Sequence, residues 1–342
     1  MASRSALLRA SRGQRPPIPR SVRCTVEGDI GMLRYILKRL LLMIPTVLLT
    51  SLLIFWAMDL AGGDPVDSIL PENATTEEKD AMRDYLGLND PFLVRYGRYV
   101  LGMVQGDMGT SYKSGLDVFD TFMSRLSLTI KLGGSALIIA CLIAIPLGIY
   151  TAIHQNSWKD TTGMVFALFG VSMPNFWLGL MLMLLFSLKL SWLPSGGADS
   201  WKCYIMPALT VGYGLAALIT RTTRSAMLDV IRQDYMTTAK AKGASRRRVI
   251  FYHGLRNAMI PIVTAVGMQF SLVMTGSALA ETVFSMPGIG RLVFDSISKR
   301  DTPMVTGSII LCCVLMAFIN LAVDILYAYC DPRIKAQYSK KR

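Results

Sequence analysis

Six stretches of this sequence contain no charged residue and are each at least 18 residues long. An α-helix rises about 1.5 Å per residue, so about 20 apolar residues cross the roughly 30 Å hydrocarbon core of a bilayer. The pattern therefore predicts an all-α integral membrane protein with six transmembrane helices. The predicted spans are residues 40–58, 132–153, 161–188, 203–220, 257–280 and 302–323.

Composition supports this class and excludes others. Hydrophobic residues make up 52% of the 342 residues and charged residues only 17%, whereas about a quarter of an ordinary soluble domain is charged. So apolar a chain is not intrinsically disordered as a whole, and six cysteines are too few for a disulfide-stapled scaffold.

The distribution of positive charge predicts the topology. An even number of spans places both termini on one side of the membrane. Segments on the side of the termini hold 24 of the 36 Lys and Arg residues, and those on the other side hold 12. Because positive loops stay in the cytoplasm, both termini are predicted to be cytoplasmic.

These boundaries divide the chain into segments. Residues 1–31 are polar and lack the apolar core of a signal peptide, so we expect a disordered extension with no role beyond orientation. The other predicted segments are the first transmembrane helix (32–58), an extracytoplasmic helical segment (59–131), a five-helix transmembrane core (132–328) containing a cytoplasmic loop (221–256), and a basic cytoplasmic tail (329–342).

The extracytoplasmic segment is predicted to contain two helices. The first covers residues 75–86, because Thr75 is a favourable N-cap and Gly87 a natural stop. The second follows Pro91, carries aromatic residues at helical spacing, and is expected to end near Gly102. This segment is either a cap that packs over the spans or a docking surface for an external partner.

The cytoplasmic loop 221–256 holds nine basic residues and only two acidic ones. Residues 229–242 are predicted to be helical, Gly243 to form a turn, and Ser245 to cap a second helix that starts at Arg246. Such a projection can transmit force. Composition alone favours an anchor for anionic lipid headgroups, and a basic loop on a membrane protein requires no nucleic-acid partner.

Ten short motifs occur in order along almost the whole chain. They are RYILKRLLLMIPTVLL (34–49), GDMGTSY (106–112), IPLGI (145–149), NSWKD (156–160), SMPNFWLGL (172–180), WLPSGG (192–197), RQDYMTTAKAKG (232–243), LRNAMIP (255–261), ETVFSMPGIGRL (281–292) and DPR (331–333). In these motifs the chain resembles the permease subunits of binding-protein-dependent ABC importers, specifically the dipeptide, oligopeptide and nickel branch.

The family's coupling signature is Glu-Ala-Ala, three residues, then Gly, with a later Ile-x-Leu-Pro. Thr237, Thr238 and Ala239 stand at the first three positions here, Gly243 follows, and the later motif is replaced. This departure resembles the variant of the peptide branch. The resemblance implies a coupling helix within residues 234–248 that sits in a cleft of the ATPase subunit. The assigned residues are Asp234, Tyr235, Thr237, Thr238, Ala239, Lys240, Ala241, Lys242, Gly243, Arg246, Arg247 and Arg248.

Motifs for catalysis are missing from the sequence. It contains no Gly-Lys dipeptide and therefore no P-loop, and neither His154 nor His253 belongs to a metal-ligand spacing. The chain is predicted not to be an enzyme and to bind no cofactor or metal; ATP and Mg²⁺ would be used by partner ATPase subunits.

Ionisable residues are almost absent from the spans. Ser172, Asn175 and Gln269 are the candidates for lining a pathway. Glu281 is either a solvated carboxylate at the membrane surface or the group that orders an outer loop, or gate, with Pro287 and Gly288. Asp324 is expected to pair with an arginine on the inner side. No midplane site for a coupling ion is evident, which disfavours a secondary transporter.

The resemblance implies a type I ABC importer permease fold in a bacterial or archaeal cytoplasmic membrane, with half of a translocation pathway for dipeptides or oligopeptides. The implied partners are a second homologous permease, two cytoplasmic ABC ATPases, an extracytoplasmic solute-binding protein and membrane lipids. Nickel or another small solute such as glutathione is the alternative cargo. A membrane anchor or sensor that does not transport is the alternative function.

Overall fold

The structure, a computed structural model, describes residues 20–60, 64–71 and 73–330. Within these ranges the chain is helical, and its only β-type contact is an isolated bridge between Thr110 and Asp117. The α-helices are α1 (Arg20–Leu60), α2 (Val66–Ile69), α3 (Thr76–Tyr85), α4 (Phe92–Gln105), α5 (Val118–Ile153), α6 (Trp158–Ser172), α7 (Asn175–Leu182), α8 (Ile205–Ile231), α9 (Asp234–Ala241), α10 (Arg256–Gly276), α11 (Ala278–Val283), α12 (Ile289–Ser298) and α13 (Thr302–Cys330). Two π-helical segments (Met183–Lys189 and Arg248–Leu255) and a 3₁₀ turn (Trp201–Tyr204) complete the described elements.

Five helical segments in the described part of the chain are long and apolar enough to cross a membrane. They are Ile36–Leu60, Val118–Ile153, Trp201–Ile231, Arg248–Met274 and Thr302–Ile325. A sixth crossing requires the pair Trp158–Ser172 and Asn175–Lys189, whose two parts are bent by 98°. The predicted class is therefore confirmed, with five or six apolar helices.

The predicted span 161–188 is not one continuous helix. It breaks at Met173, which has extended backbone angles (φ −84°, ψ 130°), and α7 begins after Pro174. Proline has no N–H to donate and disfavours the helical conformation of the residue before it, so the helix ends there. A search for uncharged stretches cannot detect this break, because both sides of it are apolar.

Several helices extend beyond their predicted apolar windows. Helix α5 begins at Val118, where the Asp117 side chain accepts a hydrogen bond from the Asp120 N–H (2.9 Å), instead of at residue 132. Helix α8 continues to Ile231 instead of ending at residue 220. Charge marks the limits of the hydrocarbon layer, whereas capping and packing set the ends of a helix.

Helices α5 and α8 form the centre of the bundle. Ala136, Ala140 and Ala144 of α5 are fully buried among residues of α8, α10 and α11. A Cβ atom added to Gly148 would lie 2.6 Å from Thr223 Cβ and 2.8 Å from the Thr220 carbonyl oxygen. Small residues thus bring two backbones close together, as is usual in membrane helix packing.

The two predicted outer helices are present. Helix α3 has a capping box formed by Thr75 and Glu78, and Gly87 follows with φ +65°. Helix α4 ends at Gly106 (φ +89°), one turn later than the predicted Gly102. It packs against α1 through aromatic rings, with the Phe55 ring centroid 5.6–5.8 Å from those of Phe92, Tyr96 and Tyr99. Helix α4 therefore packs against the side of α1, whereas whether this segment also docks an external partner stays a prediction.

Two carboxylates fix the ends of α13. At its start, buried Asp301 accepts hydrogen bonds from the Ser111 hydroxyl and, at 3.1 Å, from the Tyr112 N–H. Towards its other end, Asp324 pairs with Arg39 of α1 at 2.6 Å, which confirms the predicted pairing with an inner arginine. The Asp301 contact ties the loop before α5 to the start of α13.

Candidate functional sites

The predicted cytoplasmic projection is a helix, a turn and a second helix between α8 and α10. Residues 229–242 are not one helix, however, because Gln233 is extended (φ −77°, ψ 146°) and separates α8 from α9. Gly243 follows α9 with φ +79°, a left-handed conformation that glycine adopts without strain. The Ser245 hydroxyl then accepts a hydrogen bond from the Arg248 N–H (3.4 Å), as expected for a cap.

The projection is anchored to the bundle at its base. Met236 of α9 is 1% exposed, and a Cβ atom added to Gly254 would lie 3.5 Å from Met236 Cε and 3.4 Å from Met227 Cε. The Asn257 side-chain amide also donates a hydrogen bond to the Tyr235 hydroxyl (3.2 Å). Helix α9 is therefore in contact with α8, with the π-helical segment before α10 and with α10 itself.

Most of the residues assigned to the coupling helix are exposed. Ala239 is half-buried, and all the others are exposed, including five basic side chains. The exposed set comprises Asp234, Tyr235, Thr237, Thr238, Lys240, Ala241, Lys242, Gly243, Arg246, Arg247 and Arg248. An anchored base with an exposed cationic tip suits contact with an acidic or polar protein surface.

Glu281 organises the opposite end of the bundle. It is fully buried, so the interpretation as a solvated carboxylate is wrong. Its Oε1 accepts hydrogen bonds from Ser277 Oγ (2.8 Å) and Thr129 Oγ1 (3.0 Å), and its Oε2 accepts one from the Arg291 N–H (2.9 Å). Thr129 Oγ1 in turn accepts the Ile289 N–H (2.9 Å), so the N-terminus of α12 is capped by this network.

Close packing at Gly288 supports the second interpretation, in which Glu281 orders the outer loop. A Cβ atom added to Gly288 would lie 2.3 Å from Glu281 Cδ, so only glycine fits against the carboxylate. Pro287 is exposed, whereas Met286 beside it is fully buried. The WLPSGG loop packs on the same turn, where the Gly197 N–H donates to the Phe284 carbonyl oxygen (3.0 Å).

The three candidate pathway residues do not share one surface. Ser172 and Asn175 flank the bend between α6 and α7 and are exposed, with the Asn175 side chain lying against Gly214 of α8. Gln269 on α10 is 8% exposed and therefore lies inside the bundle. Helix packing determines which side of each helix is buried in the bundle. Residue type alone therefore could not show whether these three side chains line a common surface.

An ion pair between Asp160 and Arg224 was not predicted. Arg224 Nε and Nη2 donate to the two Asp160 oxygens at 2.7 and 2.6 Å, and Asp160 is 5% exposed. The Asn156 N–H donates a third hydrogen bond to Asp160 (3.1 Å). The available signal was a carboxylate at the start of one span and an arginine just past another, but the sequence does not show that these ends meet.

A cavity of about 720 Å³ lies between the C-terminal end of α1, helix α4 and the start of α13. Arg95 Nε, Tyr99 Oη and Thr306 Oγ1 on its walls are buried and have no hydrogen-bond partner in the described part of the chain. Burial raises the pKa of the Tyr99 phenol above its usual value, and burial together with the charge of Asp301 raises that of Tyr112. No group of three or more His, Cys, Asp or Glu side chains among the described residues is arranged to hold a metal ion.

The bent helix pair and the anchored projection between α8 and α10 fit the permease fold that the resemblance implies. Solved structures agree: two crystal forms titled inward facing conformations of the MetNI methionine ABC transporter superpose with TM-scores of 0.55 and 0.53. Each aligns with 62% of this chain, at 16% and 19% sequence identity, and with 97% and 96% of the solved chain. This likeness concerns the fold.

The chain belongs to the family described as binding-protein-dependent transport system inner membrane component, which matches residues 144–336, with the N-terminal part of that family matching residues 32–133. It is 44% identical over 304 residues to the glutathione transport system permease protein GsiC of Salmonella paratyphi A, and 42% identical to GsiC of Escherichia coli K12. Each alignment covers 89% of this chain and 99% of the relative. The protein is thus an integral inner-membrane permease subunit of an ABC importer of the dipeptide, oligopeptide and nickel type, which works with other components of such a transporter.

Proposed function

We propose that this chain forms one half of the translocation pathway of an importer for short peptides, with both termini in the cytoplasm of a bacterial cell. A second homologous permease would supply the other half, two cytoplasmic ATPases would use ATP and Mg²⁺, and an extracytoplasmic solute-binding protein would deliver the cargo. The observation that carries the proposal is the anchored projection around Met236, because an importer permease without its own ATPase site must receive mechanical work from a partner.

Glutathione is the first substrate to test. It was predicted only as an alternative small-solute cargo, and it is the cargo named for relatives that align over 99% of their length. Dipeptides and longer peptides follow. Nickel is a weaker candidate. The binding protein would select and deliver such a cation, so this chain would not need a nickel site of its own.

The coupling step follows from the contacts of α9. Closure of the ATPases on ATP would move the exposed tip at Lys240, Lys242 and Arg246–Arg248 as one body. Met236 and Gly254 would pass this displacement to α8 and α10, which run into the membrane from the base of the projection. The pathway would then open on one side only, so that ATP hydrolysis gives transport its direction.

Reconstitution tests the proposed function directly. The permease pair, its ATPases and the binding protein in proteoliposomes should take up labelled glutathione in the presence of ATP, while uptake of a dipeptide and of Ni²⁺ is measured in parallel. Uptake of neither glutathione nor peptides would contradict the substrate proposal. A stable complex that contains no ATPase would instead support an anchor or sensor.

A matched pair of glycine variants tests the coupling role. Gly243→Val and Gly106→Val both place a β-branched residue at positive φ (+79° and +89°), and a Cβ atom meets no other atom within 4 Å at either position. Each costs about 1–2 kcal/mol of local strain. We expect Gly243→Val to insert normally but to lower uptake per ATP about tenfold, the effect of a coupling loss of about 1.4 kcal/mol.

Gly106→Val serves as the control, because Gly106 ends a helix on the other side of the membrane. Its uptake per ATP should equal that of the unmodified protein. Reversal of the charge at Arg246, Arg247 and Arg248 should reproduce the Gly243→Val defect, measured as ATP hydrolysis that substrate no longer stimulates. Undiminished uptake in both projection variants would refute the assignment of this loop.

A further inference from the structure

We propose that helix α4 (Phe92–Gln105) is an interfacial helix whose outward face lies in the lipid bilayer at the headgroup–acyl boundary, on the side of the outer segment. The segment between the first two spans would then be held to the membrane by lipid as well as by α1. This inference depends on the chain being a membrane protein and not on its substrate.

The outward face of α4 is apolar. Leu93, Val94, Leu101 and Val104 are 74%, 50%, 65% and 77% exposed. At about 100° per residue, these four side chains fall within an arc of about 100° on the helix surface, with Gly97 between them. No charged residue lies within that arc, although residues 59–120 hold 12 of the 23 acidic residues of the chain.

The polar and aromatic residues of α4 face the other way. Phe92, Tyr96 and Tyr99 pack on the Phe55 ring, and Arg95 binds Asp59 at 2.5 Å. Arg98 lies at the edge of the apolar arc and pairs with Asp90 at 2.7 Å. Charged and apolar residues are thus separated as in helices that lie in a membrane surface.

The contact between Tyr96 and α1 sets the depth of α4. The Tyr96 hydroxyl lies 2.9 Å from the Leu48 carbonyl oxygen and 2.9 Å from Ser51 Oγ. Leu48 precedes the end of α1 at Leu60 by 12 residues, or about 18 Å along the helix. The apolar stretch Ile36–Leu60 is about 37 Å long, which exceeds the roughly 30 Å hydrocarbon thickness by only a few ångströms.

Helix α4 is consequently held beside the apolar part of α1 and cannot stand clear of the bilayer. Leu49, Leu53 and Trp56 of α1 are 59%, 52% and 53% exposed, so α1 also carries exposed apolar side chains over this part of its length. Tryptophan is typical of the membrane interface, which places the boundary near Trp56. Exposed apolar side chains on both helices are unfavourable in water, whereas lipid accommodates them.

Spin labels provide the test. Single cysteines at Leu93, Leu101 and Val104, in a chain whose native cysteines are replaced by serine or alanine, are labelled in the assembled transporter in lipid nanodiscs. Collision rates with molecular oxygen and with a water-soluble nickel chelate are compared. Leu49 on α1 is the lipid control, and Glu77, exposed on α3, is the water control.

We expect the ratio of oxygen to nickel collisions at all three α4 positions to exceed that at Glu77 about tenfold, because a polar chelate partitions poorly into acyl chains. The values should match Leu49. Nickel collisions as frequent as at Glu77 would overturn the proposal in favour of water. Low collision rates with both reagents would overturn it in favour of a protein partner, either the binding protein or a second permease.

Discussion

Replacing Asp160 with asparagine removes one charge from the ion pair that joins α6 to α8 while leaving the side-chain shape unchanged. Asp160 accepts three hydrogen bonds, two of them from Arg224 at 2.6 and 2.7 Å. Asparagine can accept with one oxygen only, so its amide group would face a guanidinium donor. The variant therefore leaves the positive charge of Arg224 without a counter-charge at a largely buried position.

The size of the effect follows from burial. Removing one partner of a buried ion pair destabilises a protein by about 3–5 kcal/mol, and the lower end applies here because the Arg224 side chain is 26% exposed and partly hydrated. At about 2.1 cal/mol/K of unfolding entropy per residue, a loss of about 3 kcal/mol lowers the unfolding midpoint of a 342-residue chain by about 4 °C. Asp90→Asn is the control, because Asp90 forms an exposed ion pair with Arg98. This variant should destabilise the protein by less than about 1 kcal/mol.

Thermal unfolding in detergent at one fixed heating rate measures these shifts, since unfolding of such a protein is not assumed to be reversible. The decisive variant is Asp160→Leu combined with Arg224→Met. Two apolar residues need no counter-charge, so the double variant should be more stable than Asp160→Asn or Arg224→Met alone. Equal midpoints for Asp160→Asn and the unmodified protein, or a double variant no better than the singles, would refute the argument that the pair fixes α6 to α8.

Further variants test the outer face. Tyr96→Phe removes hydrogen bonds to Leu48 and Ser51 and should destabilise the protein by about 1 kcal/mol in the same thermal assay. Tyr99→Phe removes a buried hydroxyl that has no partner in the described part of the chain, so it should be neutral or stabilising. A Tyr99→Phe variant less stable than Tyr96→Phe would contradict the contacts of α4. Glu281→Gln keeps the shape of the buried side chain but weakens its three hydrogen bonds, so we expect a loss of about 1–3 kcal/mol and reduced uptake. Gly288→Ala should destabilise the protein by about 1–3 kcal/mol, because its Cβ atom displaces the Glu281 carboxylate; an unchanged midpoint would show that the loop is not packed on that carboxylate.

Sequence reasoning worked best where one local rule applies. The capping box at Thr75, the turn at Gly243 and the cap at Ser245 each depend on residues within a few positions, and all three are present. It failed at helix ends and at the break before Pro174, because uncharged residues continue through both sides of the break. The helix, turn and second helix of the projection lie where they were predicted. The break between α8 and α9 at Gln233 was missed, because neither hydropathy nor charge changes there.

The candidate functional sites also include one part that the sequence predicts and one part that it does not. The exposed tip of the projection could be recognised from its basic residues and from the resemblance to a family. The role of Glu281 could not be decided beforehand, since a carboxylate at the end of a span is consistent with water or with a buried network. Its partner Thr129 lies 152 residues away in the chain, and only the packing of α5 against α11 and α12 brings the two together.

Membrane class and helix content could be read from the amino acids alone, because the bilayer imposes a length and a polarity that twenty consecutive residues either meet or do not. No local sequence pattern indicates which helix ends contact each other. The pairing of Asp160 with Arg224, the burial of Glu281 against Gly288 and the depth of Tyr96 beside Leu48 are contacts between distant segments. They arise from the packing of all the helices at once, and they determine which polar groups are buried with partners and which face lipid, water or another subunit.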